Sequence, residues 1–235
     1  MQYKRITLFA GHYGSGKTNI AVNYAMHLKR EGLPVAIADL DIVNPYFRTK
    51  DSSEELKALG IDIISSDFAN TNVDLPALPR EVYVLTSDKS LYAVMDIGGD
   101  DRGATALGRY TPDILAENNY EMIYVANCYR PLTRTPEDAL EVMREIELAS
   151  GIPFTSIVNN SNIGNLTTPE DVLASRTFVE KLSDLSGLPV LMTTAAGGVA
   201  EGLAGKMDNV FPLKLQKKYF DIEERNDYGK INIQD

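Results

Sequence analysis

Apolar positions along the chain fall into short continuous runs, separated by stretches in which they recur every three or four residues. The runs Ile6–Ala10, Val35–Asp39, Ile61–Ser65, Leu91–Asp96, Met122–Asn127, Phe154–Asn159 and Pro189–Met192 predict strands. The periodic stretches Gly16–Arg30, Ser53–Leu59, Thr105–Glu117, Pro136–Ser150 and Pro169–Leu185 predict helices. Strands joined through helix-length segments imply parallel βαβ units. Unbroken apolar character at Ala93-Val94-Met95 and Ile123-Tyr124-Val125-Ala126 suits strands covered on both faces. Glycine or proline marks many joins, as at Gly32 and Pro34, Gly60, Gly151 and Pro153, and Gly187 and Pro189. The pattern predicts one α/β domain over residues 1–220 and a loosely packed polar tail over 221–235.

Two segments break the alternation. Ser66–Val73 is rich in turn-forming Asp, Asn, Ser and Thr, and predicts a surface loop before a short helix near Leu78–Ser87. Leu213, Leu215, Tyr219 and Phe220, interleaved with Lys214, Lys217 and Lys218, form a basic amphipathic patch. A helix docked on the body is the expected form. Asp221, Glu223 and Glu224 follow at once and would repel an anionic membrane surface.

The first strand runs into Gly11-His12-Tyr13-Gly14-Ser15-Gly16-Lys17-Thr18, a G-x-x-x-x-G-K-T pattern. After it, Ile20, Ala21, Tyr24, Ala25 and Leu28 share one helix face. Glycines let a backbone curl around phosphate oxygens with its N–H groups inward, and the helix start adds its positive dipole end. Gly11, Tyr13, Gly14, Ser15, Gly16 and the following Asn19 are therefore expected to line a nucleoside triphosphate. Lys17 is expected to reach the outer phosphates, and Thr18 to hold Mg²⁺.

Composition narrows the setting. Hydrophobic content of 44% and charged content of 24% are those of an ordinary globule, and no apolar run is long enough for a membrane span. Met1–Arg5 leads into a strand instead of a signal-peptide core, so a cytoplasmic address is the expectation. The single cysteine, Cys128, excludes an intramolecular disulfide and a C-x-x-C metal pair, and is expected to be an inert thiol. A net charge of -10 argues against broad nucleic-acid binding. His27 has no metal-ligand partner at helical spacing and reads as structural.

Ligands in open parallel sheets sit beyond the carboxyl ends of strands. There the chain places Asp39-Leu40-Asp41 after the second strand and Asp96, then Ile97-Gly98-Gly99-Asp100-Asp101, after the fourth. Asp96 is expected to touch Mg²⁺ directly or through water, with Asp39 joining the metal shell. Asp41 is placed to orient an attacking water, and the Gly99 N–H to meet the terminal phosphate. Lys17, Asp41 and Asp96 are thus the expected catalytic residues; Thr18, Asp39 and Asp96 are the expected metal ligands.

The combination of Gly11–Thr18, Val35–Asp41, Val94-Met95-Asp96 and Ile157-Val158-Asn159-Asn160 resembles the MinD/ParA/CobQ-type (SIMIBI class) P-loop ATPases over roughly the first 200 residues. The resemblance implies a three-layer fold with a mostly parallel sheet of seven or eight strands and helices on both faces. It implies that Asn159 contacts adenine and that ATP closes a homodimer. One departure stands out. Family members often carry a second lysine early in the loop, where this chain has His12 followed by Tyr13. A protonated His12, Arg48 or Arg102 could replace that charge, or turnover could proceed without it; Arg102, beside the acidic turn, is the favoured substitute. No N-K-x-D guanine signature is present, which favours ATP over GTP. The expected function is a Mg²⁺-dependent ATPase switch acting on an unidentified protein client, without nucleic-acid or membrane partners. The alternatives are a ligase or synthetase of the CobQ/dethiobiotin-synthetase type, with Ser66–Val73 in its substrate pocket, and a nucleotide-binding module with little turnover.

Overall fold

The computed structural model describes residues 3–40, 52–65, 82–98, 104–105 and 107–215. Its centre is a parallel sheet of eight strands: β1 (Ile6–Ala10), β2 (Val35–Leu40), β3 (Asp62–Ser65), β4 (Tyr92–Ile97), β5 (Tyr120–Ala126), β6 (Ser156–Asn159), β7 (Val190–Ala196) and β8 (Val210–Leu213). The spatial order is β3-β2-β4-β1-β5-β6-β7-β8. The α-helices are α1 (Lys17–Arg30), α2 (Ser53–Ala58), α3 (Val82–Ser87), α4 (Thr111–Glu117), α5 (Pro136–Ser150), α6 (Pro169–Ala174), α7 (Arg176–Ser186) and α8 (Gly197–Gly202). This is the three-layer α/β arrangement that the resemblance implies, built from the parallel βαβ units that the alternation of runs predicts.

Strand side chains alternate between two faces, and each face buries its own core. Leu8, Met95, Tyr124 and Ile157 meet Leu85 of α3, Ile114 of α4, Met143 of α5 and Leu182 of α7. On the other face, Phe9, Ile37, Val94, Val125 and Val158 meet Ile20, Tyr24 and Leu28 of α1. The central strands are covered on both sides, which is why they read as unbroken apolar runs.

Local chemistry sets several boundaries. In α5 the Thr135 side chain accepts from the Asp138 N–H, Pro136 occupies the first turn, and Gly151 ends the helix at φ 69°. Pro112 confines α4 to Thr111 onward, because a proline deeper in a helix would cost a hydrogen bond; a short 3₁₀ turn, Leu107–Arg109, precedes it. The predicted helix Pro169–Leu185 is two helices, parted at Ser175. Its Oγ donates to the Val172 carbonyl at 2.7 Å and accepts from Asn159 Nδ2 at 2.8 Å.

The basic patch does not begin as a helix, and residues 216–220 lie outside the described residues. Val210–Leu213 is a strand beside β7, with Leu213 buried and Leu215 half exposed. Pro212 is tolerated because β8 lies at the sheet edge, where one side of the strand needs no ladder. Asn23 of α1 pins the following residue, donating to the Lys214 carbonyl at 2.9 Å and accepting from its N–H at 2.8 Å. Thr193–Ala196 belongs to β7, and Gly197 and Gly198 open α8. The Ser66–Val73 loop and the tail from residue 221 lie outside the described residues.

At the amino ends of the strands, Arg5 is buried and joined to Glu117. Its Nη1 also donates to the carbonyls of Leu85 at 2.8 Å, Asp88 at 3.2 Å and Leu91 at 3.0 Å. One guanidinium thus ties α3, the start of β4 and the end of α4 to β1. The Arg5 hydrogen bond, with help from Lys89, holds the Glu117 carboxyl below the usual carboxylate range, against the opposing effect of burial. A depressed folded-state pKa stabilises above the unfolded value, and that stability is lost as pH falls through the folded value. Arg5→Ala is expected to lower the unfolding free energy by about 3 kcal/mol in urea titrations, because it leaves Glu117 with only the exposed Lys89 and takes the guanidinium donor from three carbonyls. Glu117→Gln is expected to flatten the acid limb of stability measured below the ordinary Glu pKa.

Candidate nucleotide site

The loop between β1 and α1 leaves the sheet at its centre. Gly11 takes φ 151°, Gly14 φ 74° and Gly16 φ 94°, all conformations that disfavour a side chain. At Gly11 space is also lacking: a Cβ would stand 2.6 Å from the Val125 carbonyl oxygen. The loop closes on itself through the Ser15 N–H, which donates to the His12 carbonyl at 3.1 Å, and α1 begins with the Ile20 N–H on the Gly16 carbonyl. Lys17 is 4% exposed, with Nζ 3.4 Å from the His12 carbonyl; Thr18 is 7% exposed. Tyr13 is exposed at the tip. Asn19 accepts through its carbonyl from Asn23 within α1.

Register carries the acids to the same place. Asp39 of β2 lies abreast of Asp96 of β4, which in turn lies abreast of Phe9 at the end of β1. Strand spacing is about 4.8 Å, so the two carboxylates stand side by side. By alternation from Ile37 and Val94 they point to the face covered by α1, whose first residues are Lys17 and Thr18. Both are buried. Two buried acids and a hydroxyl beside a phosphate loop suit Mg²⁺, which usually takes one or two carboxylates plus phosphates and waters. Among the described residues no group of three or more His, Cys, Asp or Glu is placed to hold a metal ion. Asp41, Gly99, Arg48 and Arg102 lie outside the described residues.

Asn159 and Asn160 divide their roles. Asn159 is fully buried; its Nδ2 donates to Ser175 Oγ and its Oδ1 accepts from the Ser161 N–H. Those contacts turn it toward α6 and α7 and engage the amide there. The neighbouring Asn160 reaches the loop instead, donating to the Ser15 carbonyl at 2.6 Å and accepting from Thr194 Oγ1 at 2.6 Å. β6 and β7 therefore brace the phosphate loop through one amide. The bond from Thr194 to Asn160 carried no signal in the sequence, because the two residues are 34 positions apart.

His12 bears on the missing lysine. Burial lowers the pKa of its imidazole, and the positive charges of Lys17 and Arg130 lower it further, while the Tyr13 carbonyl acts the other way. The ring is thereby disfavoured as a stand-in cation. Cys128 is half-buried, and burial raises its thiol pKa, as suits an inert thiol. His27 is structural: Nε2 lies 2.9 Å from Tyr3 Oη, and the ring packs edge-on against Phe211.

Gly11→Ala is expected to destabilise the fold by about 2 kcal/mol or more in urea melts, since the neighbour that must yield is β5 backbone. At Gly16 a Cβ would collide with Asn160 Nδ2, the end of a side chain. Gly16→Ala and Asn160→Ala are therefore expected to be non-additive, with a coupling of about 1 kcal/mol in a double-mutant cycle.

The same architecture occurs in solved structures of FtsY. The chain superposes on the cell division protein FtsY of Thermotoga maritima with a TM-score of 0.58 at 16% identity, covering 81% of this chain and 61% of that one. For chloroplast FtsY of Physcomitrella patens the values are 0.54, 19%, 85% and 60%. For the signal recognition particle receptor FtsY of Elizabethkingia anophelis they are 0.51, 17%, 82% and 59%, and that receptor has also been crystallised in complex with GDP. The chain thus spans between 59% and 61% of the length of these proteins. No protein-family model and no curated protein matches the sequence. At such identities the likeness establishes a shared three-layer P-loop NTPase fold.

Proposed function

We propose that the protein is a Mg²⁺-dependent nucleoside triphosphatase that works as a switch on a protein client, with ATP as its nucleotide. The observation that carries this reading is the convergence of Lys17 and Thr18 with the in-register carboxylates Asp39 and Asp96 at the end of β1. Lys17 neutralises the outer phosphates. Thr18, Asp39 and Asp96 would hold Mg²⁺, which would supply positive charge to the phosphoryl oxygens. Asp41 orients the water that displaces the nucleoside diphosphate, and the Gly99 N–H meets the terminal phosphate. Such a reaction asks the protein chiefly for positioning and charge neutralisation.

The choice of ATP rests on the absence of an N-K-x-D signature and on the MinD/ParA-like motifs. The GDP seen in one FtsY structure is the reason to test guanine nucleotides in parallel. The switch reading supposes that the chain after Asp41 and after Asp96 is ordered by the terminal phosphate and released on hydrolysis, with a homodimer as the ATP state. The ligase alternative rests on Ser66–Val73, and no observation on the described residues favours it.

Phosphate release measured with ATP and with GTP, with and without Mg²⁺, is expected to show Mg²⁺-dependent turnover that is faster with ATP. Lys17→Ala is expected to weaken triphosphate binding by about tenfold or more. Asp39→Asn and Asp96→Asn are expected to raise the Mg²⁺ concentration needed for half-maximal rate by about tenfold. Turnover indifferent to Mg²⁺, or full binding by the Lys17 variant, would overturn the assignment.

A further inference from the structure

Arg130 lies four residues past the end of β5, the strand that pairs with β1 on the side away from Asp39 and Asp96. Its guanidinium lies against the tip of the phosphate loop: a Cβ on Gly14 would stand 3.5 Å from Nε, 3.7 Å from Cζ and 3.8 Å from Cδ. Glycine at that position lets a planar cation approach the loop backbone directly. The Nε atom is shielded from solvent and makes no hydrogen bond among the described residues. None of the ion pairs formed by the described residues includes Arg130. A desolvated charged donor without an acceptor is costly.

The segment that carries Arg130 is braced. Its N–H donates to the Asn127 carbonyl at 3.2 Å and its carbonyl accepts from the Thr133 N–H at 3.1 Å. Thr133 Oγ1 donates to the same Asn127 carbonyl at 2.8 Å. Asn127 Oδ1 accepts from the N–H groups of Tyr129 at 3.0 Å and Asn162 at 3.3 Å. The backbone that carries the guanidinium is therefore held beside the loop by a buried scaffold, which leaves only the side chain for a ligand to order.

We propose that Arg130 contacts the terminal phosphoryl group of a nucleoside triphosphate held by residues 11–18, so that the site distinguishes triphosphate from diphosphate; this rests on the reading of that loop as a nucleotide site. A guanidinium presents several N–H donors in one plane and pairs with phosphate oxygens in bidentate fashion. The carboxylates, on the β2–β4 flank, leave the β5 flank of the phosphates to this cation.

The test is the affinity of the full chain, with Mg²⁺, for the β,γ-imido analogues of ATP and GTP and for ADP and GDP, by titration calorimetry. Arg130→Ala is expected to weaken binding of the preferred triphosphate analogue by about tenfold or more, and of its diphosphate by less than about threefold. Arg130→Lys is expected to restore part of the loss as a point charge. Thermal unfolding of Arg130→Ala without nucleotide is expected at or above the wild-type temperature, since the change removes an unpaired cation. Equal losses for both classes of nucleotide, or no loss in either, overturn the role of Arg130 while leaving the nucleotide site in place. Wild-type protein that binds none of the four ligands overturns both.

Discussion

The architecture turns on the close passage of Gly11 against β5. The chain must leave the sheet where β1 ends, and the Val125 carbonyl stands so near that no side chain fits there. Glycines at positions 14 and 16 then continue through left-handed backbone into the start of α1. The helix is held flat on the sheet by Ile20, Tyr24 and Leu28 against Phe9, Val94 and Val125. A loop with this little conformational freedom, seated on a packed helix, is a rigid receptacle, and the side chains around it are placed by its fixed position between β4 and β5.

That position divides charge across the site. The sheet order puts β4 and then β2 on one flank, bringing Asp96 and Asp39 up in register. It puts β5 and then β6 on the other flank, bringing Arg130 and Asn160. Acids and cations that face a common loop from opposite sides suit a ligand that is itself divided, a polyanion with a bound cation. Buried groups of this kind are weak contributors to stability on their own account.

Stability is concentrated at the other end of the strands. There Arg5 joins Glu117 and three carbonyls, and Thr111 Oγ1 donates to the Ser150 carbonyl at 2.7 Å. The amino ends are thus closed by satisfied polar contacts, while the carboxyl ends keep glycine turns and a cation without an ionic partner among the described residues. Separating the two lets the site carry strain without loosening the sheet.

Much of this could be read along the chain. Strand and helix alternation followed from apolar periodicity because each element's burial is written in its own residues, and the periodic stretch from Pro136 to the join at Gly151 placed α5 at its observed ends. Errors arose where a distant partner decided the local form: Ser175 splits a periodic stretch because Asn159 reaches it, and Val210–Leu213 is a strand only because β7 offers an edge. The glycine-rich loop and the strand-end acids could be singled out without a neighbour, since glycine, lysine and carboxylate chemistry is local to a few consecutive residues. The seat of Arg130 beside Gly14, the brace from Asn160 and the pairing of Asp39 with Asp96 were decided by tertiary structure alone. Each depends on which strands lie side by side, and strands adjacent in the sheet are far apart in the chain.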